Sequence, residues 1–77
     1  MTIVDARGHR CPVPSLRLAR ALEAARPGDT IRLLATDPMA RIDVPHMLAD
    51  GPHRVLTVQN VEGGLEITVE TGASPSG

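Results

Sequence analysis

The residue with the most chemistry to offer is Cys11, set in the run RGHRCPVPSLRLARAL with Arg7, His9 and Arg10 before it and Pro12 and Pro14 after it. A cysteine is a nucleophile only as its thiolate, and neighbouring cations or a helix start lower the thiol pKa from about 8.5 into the range of roughly 3.5–7.5. Pro12 suits the first helical position, where a missing N–H costs no intrahelical bond. The sequence therefore predicts that Cys11 stands at or beside the N-cap and faces the positive end of a helix. That end favours an anion by about 0.3–1 kcal/mol, whereas one pKa unit requires about 1.4 kcal/mol. Arg7, Arg10 and protonated His9 can supply the remainder if the loop folds toward the sulfur, and the expectation is a moderately depressed thiol pKa. The competing reading is a buried cysteine packed as a small hydrophobe. The proline pair, the basic loop and the helix start favour the reactive one.

An anionic sulfur at this position would rest on Arg10 and on the segment Pro12, Val13, Pro14 and Ser15. Pro12 has no N–H to give, so Val13 and Ser15 are the expected backbone contacts. With a single cysteine the chain cannot close an internal disulfide, and any disulfide or persulfide must involve a second molecule. All eight basic side chains are Arg. The absence of Lys excludes Schiff-base chemistry and a phosphate-loop lysine. His9, His46 and His53 match no zinc spacing, and no metal or cofactor is expected. Asp37 and Asp43 read as helix caps rather than acid–base catalysts.

The 77 residues contain no Phe, Tyr or Trp and carry a net charge of −1. An aromatic-lined pocket is thereby excluded, and a direct nucleic-acid partner is not expected, because RNA readers stack bases on rings. A carrier that ends in a Gly-Gly thiocarboxylate does not fit either, since the chain ends SPSG and Gly63-Gly64 lie inside a hairpin pattern. The opening MTIVDARGHR lacks the apolar core of a secretory signal, and no apolar run approaches a membrane span. The expectation is a soluble cytoplasmic protein with no membrane partner.

The elements that must position Cys11 follow from periodicity. TIVD reads as a strand over 2–5, and from Pro12 to Ala25 an apolar stripe of Leu18, Ala21, Leu22 and Ala25 predicts a helix. Arg17, Arg20 and Glu23 fall on its other side, and Leu16 lies off the stripe. Leu16, Arg17 and Arg20 are thus candidates for docking a partner. RPGD ends this helix, TIRLLA is a second strand, and Asp37-Pro38 predicts an N-cap with proline at the first helical position. A second such pair, Asp43 with Pro45, predicts a loose turn that becomes regular helix only near Val44 and stops at Gly51. RVLTVQ and LEITVE are strands joined by NVEGG. The clean alternation of the last strand leaves one sheet face wet and puts both helices on the other. The expected fold is a two-layer α/β sandwich, strand-helix-strand-helix-strand-strand, with a four-stranded mixed sheet. One domain is expected over 1–70, and 71–77 is expected to be a disordered tail, too small and polar to pack.

The segments DARGHRCPVP, RPGDTIRLLATDP and RIDVP resemble the TusA-like, or SirA-like, sulfur carrier family, in order and spacing up to Glu70. The Cys-Pro-x-Pro at the head of the first helix is the most specific part of the likeness. The resemblance implies a two-layer α/β sandwich and a sulfurtransferase role in which Cys11 accepts a sulfane sulfur as a persulfide and passes it to a partner protein. It also implies a donor of the cysteine desulfurase or rhodanese type and an acceptor serving tRNA thiolation, sulfur oxidation or cofactor assembly. His9 stands where leucine is common in the family, and the first helix carries Arg or apolar residues where lysines are frequent. The alternative function is a non-catalytic protein- or RNA-interaction module of the same fold.

Overall fold

The computed structural model describes residues 2–10 and 12–72; Cys11 lies outside the described residues. The chain runs β1 (Thr2–Ala6), α1 (Val13–Ala24), β2 (Thr30–Ala35), α2 (Ala40–Leu48), β3 (Arg54–Val61) and β4 (Gly64–Glu70). The strands form one mixed sheet in the order β1-β2-β4-β3. β1 lies parallel to β2, while β4 is antiparallel to both β2 and β3. β1, β2 and β3 therefore all point the same way, and the chain leaves each of them at one end of the molecule. Both helices begin at that end and pack on one face of the sheet, as the two-layer expectation requires.

The core is a single aliphatic layer between sheet and helices. Ile31, Leu33 and Ala35 of β2 and Leu65, Ile67 and Val69 of β4 are buried, alternating with half-exposed neighbours. Leu18 and Leu22 close over them from α1, and Ala40, Val44 and Leu48 from α2. The predicted α1 stripe also includes Ala21 and Ala25, which are partly buried against the same cluster.

Four sequence expectations are corrected. Helix α1 begins at Val13, with Pro12 as its N-cap and Pro14 inside its first turn. The Val13 N–H is turned back to the Arg10 carbonyl at 3.0 Å, which closes a turn before the helix and delays it by one residue. Asp37 does not cap α2, whose N-cap is Met39. Asp37 instead holds the preceding turn, accepting from the Met39 N–H at 2.9 Å through Oδ1 and from the Ala40 N–H at 3.1 Å through its carbonyl. The helix starts at Ala40, ahead of the onset expected near Val44, and continues through Pro45. Asp43 is therefore a residue inside α2 and not a cap.

In β3, a register shift between Val55 and Thr57 makes Leu56 an extra residue. This bulge lets Val55 and Val58, three apart, both pack against the core, where strict alternation would have separated them. At the far end, Thr71 is buried and tied to Asp29 by its N–H at 2.8 Å, and its hydroxyl bonds the Arg26 carbonyl. The Gly72 N–H donates to His53 Nδ1 at 3.2 Å. The expected tail therefore does not start at Thr71; residues 73–77 lie outside the described residues.

Candidate functional site

The loop that carries Cys11 is built from three anchors. Gly8 takes φ +85°, a left-handed backbone that glycine adopts at little cost, and this reverses the chain at the end of β1. Its N–H donates to Thr36 Oγ1 at 2.9 Å, which fastens the loop after β1 to the loop after β2. The His9 N–H closes back on the Ala6 carbonyl at 3.3 Å. Between the two loops opens a groove of about 440 Å³, lined by Gly8, His9 and Arg10 on one side and Thr36, Asp37 and Pro38 on the other. Such crevices at the C-terminal ends of parallel strands are where open α/β sheets bind ligands.

Among the three basic residues before Cys11, the structure separates two roles. Arg7 is turned away onto Asp5 in a two-pronged pair, Nε to Oδ1 at 2.9 Å and Nη2 to Oδ2 at 2.8 Å, reinforced by its own N–H at 3.1 Å. These hydrogen bonds from Arg7, with its charge and that of Arg17, hold the Asp5 carboxyl well below the usual carboxylate range. Asp5 in turn raises the pKa of Arg7. Arg7 is therefore committed, contrary to the expectation that it would serve the sulfur. Arg10 is exposed and carries no ion pair among the described residues, and His9 is half-buried in the groove wall.

The start of α1 is equally selective. No acidic residue stands in its first turn and no side chain caps it, so its positive end is not offset locally. The Val13 amide is spent on Arg10 and the Leu16 amide donates to the Pro12 carbonyl at 3.0 Å. Pro14 has no N–H and is buried. This leaves the Ser15 amide as the first-turn donor not given to a described neighbour. The Ser15 side chain is also buried, and its hydroxyl has no hydrogen-bond partner among the described residues. Of the two expected backbone contacts, the Val13 amide is thus already bonded to Arg10, while the Ser15 amide is bonded to no described residue.

Pro12, Leu16, Arg17 and Arg20 are exposed, and Leu16 keeps 58% of its surface accessible. Sequence reasoning missed Thr36, Met39 and Ile42, which the topology brings to the same end. The only signal for them was position: each follows the end of β2, the strand parallel to the one that leads to Cys11. Among the described residues no group of three or more His, Cys, Asp or Glu converges as a metal site. No helix among them is long and apolar enough to cross a membrane.

Comparison with known proteins fits this geometry. The family described as sulfurtransferase TusA matches residues 2–71. A putative sulfur carrier protein of Archaeoglobus fulgidus is 29% identical over 70 residues, covering 91% of this chain and 96% of its own length. The sulfur carrier protein TusA of Pseudomonas aeruginosa is 33% identical over 61 residues, 79% of this chain and 77% of that protein. The crystal structure of a SirA-like protein from Desulfitobacterium hafniense superimposes with a TM-score of 0.72 at 26% identity, covering 95% of this chain and all of that one. Because the family match runs through all six elements and both anchored loops, the chain belongs to the TusA family, whose named relatives are sulfur carriers.

Proposed function

We propose that this protein is a persulfide carrier in a sulfur relay, with Cys11 as the sulfur-bearing residue. The observation that carries the reading is the exposure of both flanks of Cys11, Arg10 and Pro12, at the start of a helix whose first turn holds no acid. A partner's cysteine can approach such a position without displacing the core.

The Cys11 thiolate attacks the outer sulfur of a donor persulfide. A new S–S bond forms at Cys11 as the donor's own S–S bond breaks, and the donor leaves as a thiolate. The proton on the transferred sulfur stays with it or is lost to solvent, and no external oxidant or reductant is consumed. In the second half, an acceptor thiolate attacks the terminal sulfur and Cys11 is released as thiolate. Arg10 and the Ser15 amide stabilise the anionic sulfur between the two steps. A cysteine desulfurase or a rhodanese-type protein suits the donor role, and a thiol protein serving tRNA thiolation, sulfur oxidation or cofactor assembly suits the acceptor.

Incubation with a persulfide donor followed by mass spectrometry tests the assignment. One added sulfur atom is expected on the wild type and none on Cys11→Ala. The same gain on the variant overturns it.

A further inference from the structure

The loop that carries Cys11 has its shape set locally. The amides of Arg7, His9 and Val13 each donate to a residue two or three positions back: Asp5 at 3.1 Å, Ala6 at 3.3 Å and Arg10 at 3.0 Å. Turns of this kind travel with the loop, so they fix its form and not its place. Among the described residues, one hydrogen bond of the loop leaves it: the Gly8 N–H donates to Thr36 Oγ1 at 2.9 Å, across 28 residues of chain. The strand from which the loop hangs, β1, is bonded on one side only. The Gly8–Thr36 bond is therefore what ties the middle of the loop to the rest of the molecule.

The other end of this bond stands where the backbone has least room to move. Thr36 follows Ala35, the last residue of β2, which is buried and pairs with Ala6 on one side and Leu65 on the other. Gly64 of the β3–β4 hairpin packs against the Ala35 carbonyl and the Thr36 Cα, too close for a side chain to stand between them. The Thr36 side chain itself is exposed. Its hydroxyl holds nothing in the core, and its removal leaves no buried cavity of the kind that destabilises a fold. A firmly held backbone thus presents an acceptor that is spent on the Cys11 loop.

We propose that Thr36 is a positioning residue for sulfur transfer, acting on Cys11 through the Gly8 amide three residues before it. The proposal rests on the carrier reading and adds the residue that decides where the sulfur is presented. Thr36 touches neither the sulfur nor the donor. Attack on a persulfide requires the nucleophile near the breaking S–S bond and aligned with it, so a displaced loop loses rate even when its thiolate is fully formed. The bond also joins the two walls of the groove of about 440 Å³, Gly8 to Arg10 on one side and Thr36 to Pro38 on the other. Without it the loop is free to swing between β1 and the start of α1.

The test compares the wild type with Thr36→Val, Thr36→Ala and Thr36→Ser, loaded from glutathione persulfide at a pH above the thiol midpoint of each, so that the thiolate fraction is the same. Thr36→Val and Thr36→Ala lack the acceptor and are expected to load about 3- to 10-fold more slowly, the range over which one hydrogen bond shifts an equilibrium. Thr36→Ser keeps the hydroxyl and should load at close to the wild-type rate. Hydrogen exchange at the Gly8 amide should quicken in the Val and Ala variants and not in the Ser variant, while all three urea midpoints stay near the wild type. Wild-type loading in Thr36→Val, with Gly8 exchange quickened, overturns the proposal. So does unchanged Gly8 exchange, which would mean that the bond holds nothing in solution. A Ser variant as slow as the Val variant, or rates that follow the urea midpoints, makes Thr36 a residue of the fold and overturns it equally. A wild type that fails to load removes the carrier reading itself, whereas equal loading of all four proteins removes only the role of Thr36.

Discussion

At the scale of single residues, the informative contrast is between two arginines three positions apart. Both precede Cys11, and composition treats them alike, yet Arg7 is clamped to Asp5 while Arg10 has no acidic partner among the described residues. The Asp5 carboxyl is held far below its ordinary pKa by the Arg7 hydrogen bonds, so the clamp is complete above the usual carboxylate range and is lost only as pH falls through the lowered value. It is therefore intact throughout the range in which a thiol titrates. Thiolate absorbance followed against pH should place Cys11 below the ~8.5 of free cysteine. Arg10→Gln should raise the midpoint by ~0.5–1 unit, since a nearby cation is removed. Arg7→Gln should leave it in place, because that charge is already matched. Equal shifts in the two variants would show that Arg7 reaches the sulfur despite Asp5. The sequence revealed the basic loop but not this division, because the Asp5–Arg7 pair depends on how the chain turns after β1.

At the scale of elements, what was legible in the sequence was whatever local rules decide. TIRLLA is β2 without a residue's error, because it is a short, mainly apolar run bounded on the N-terminal side by the turn residues RPGD. The α1 stripe and the last strand were equally plain. The start of α2 and the course of β3 were not. Asp37-Pro38 has the chemistry of a cap, and only the packing of Ala40 and Val44 decides that the chain makes one more turn before the helix. The bulge at Leu56 likewise answers to the core, which draws in Val55 and Val58 together.

The β3–β4 turn shows a constraint that local rules cannot reveal. A side chain at Gly64 would run into the Ala35 carbonyl at the end of β2. Backbone cannot yield there without moving the strand that leads to Thr36 and its bond to Gly8. Gly64→Ala is expected to cost ~1–3 kcal/mol, the usual penalty of overpacking, read as a lower urea midpoint with an unchanged slope. A midpoint equal to wild type would mean that the hairpin shifts freely.

At the scale of the whole molecule, the position of the site within the sheet matters more than any one contact. β4 is bonded on both sides, by β2 and β3, and β2 is bonded by β1 and β4. β1 is an edge strand of five residues, of which only Ala6 is fully buried. The loop bearing Cys11 hangs from this edge and is fastened to the interior by the Gly8–Thr36 bond and by α1. A carrier that must fit first one protein and then another would benefit from that arrangement, since an adjustment of the loop would leave the aliphatic layer under β2 and β4 closed. Local openings cost less free energy where fewer buried contacts and hydrogen bonds must break. Native-state hydrogen exchange should therefore show the amides of β1 and the loop through Arg10 opening well below the global unfolding free energy, with slopes in urea close to zero. The amides of Leu33 and Ile67 should open only with global unfolding. If β1 and β4 instead shared one opening energy and one slope, the sheet would unfold as a unit, and accommodation to partners would have to come from α1 and the arginines along it.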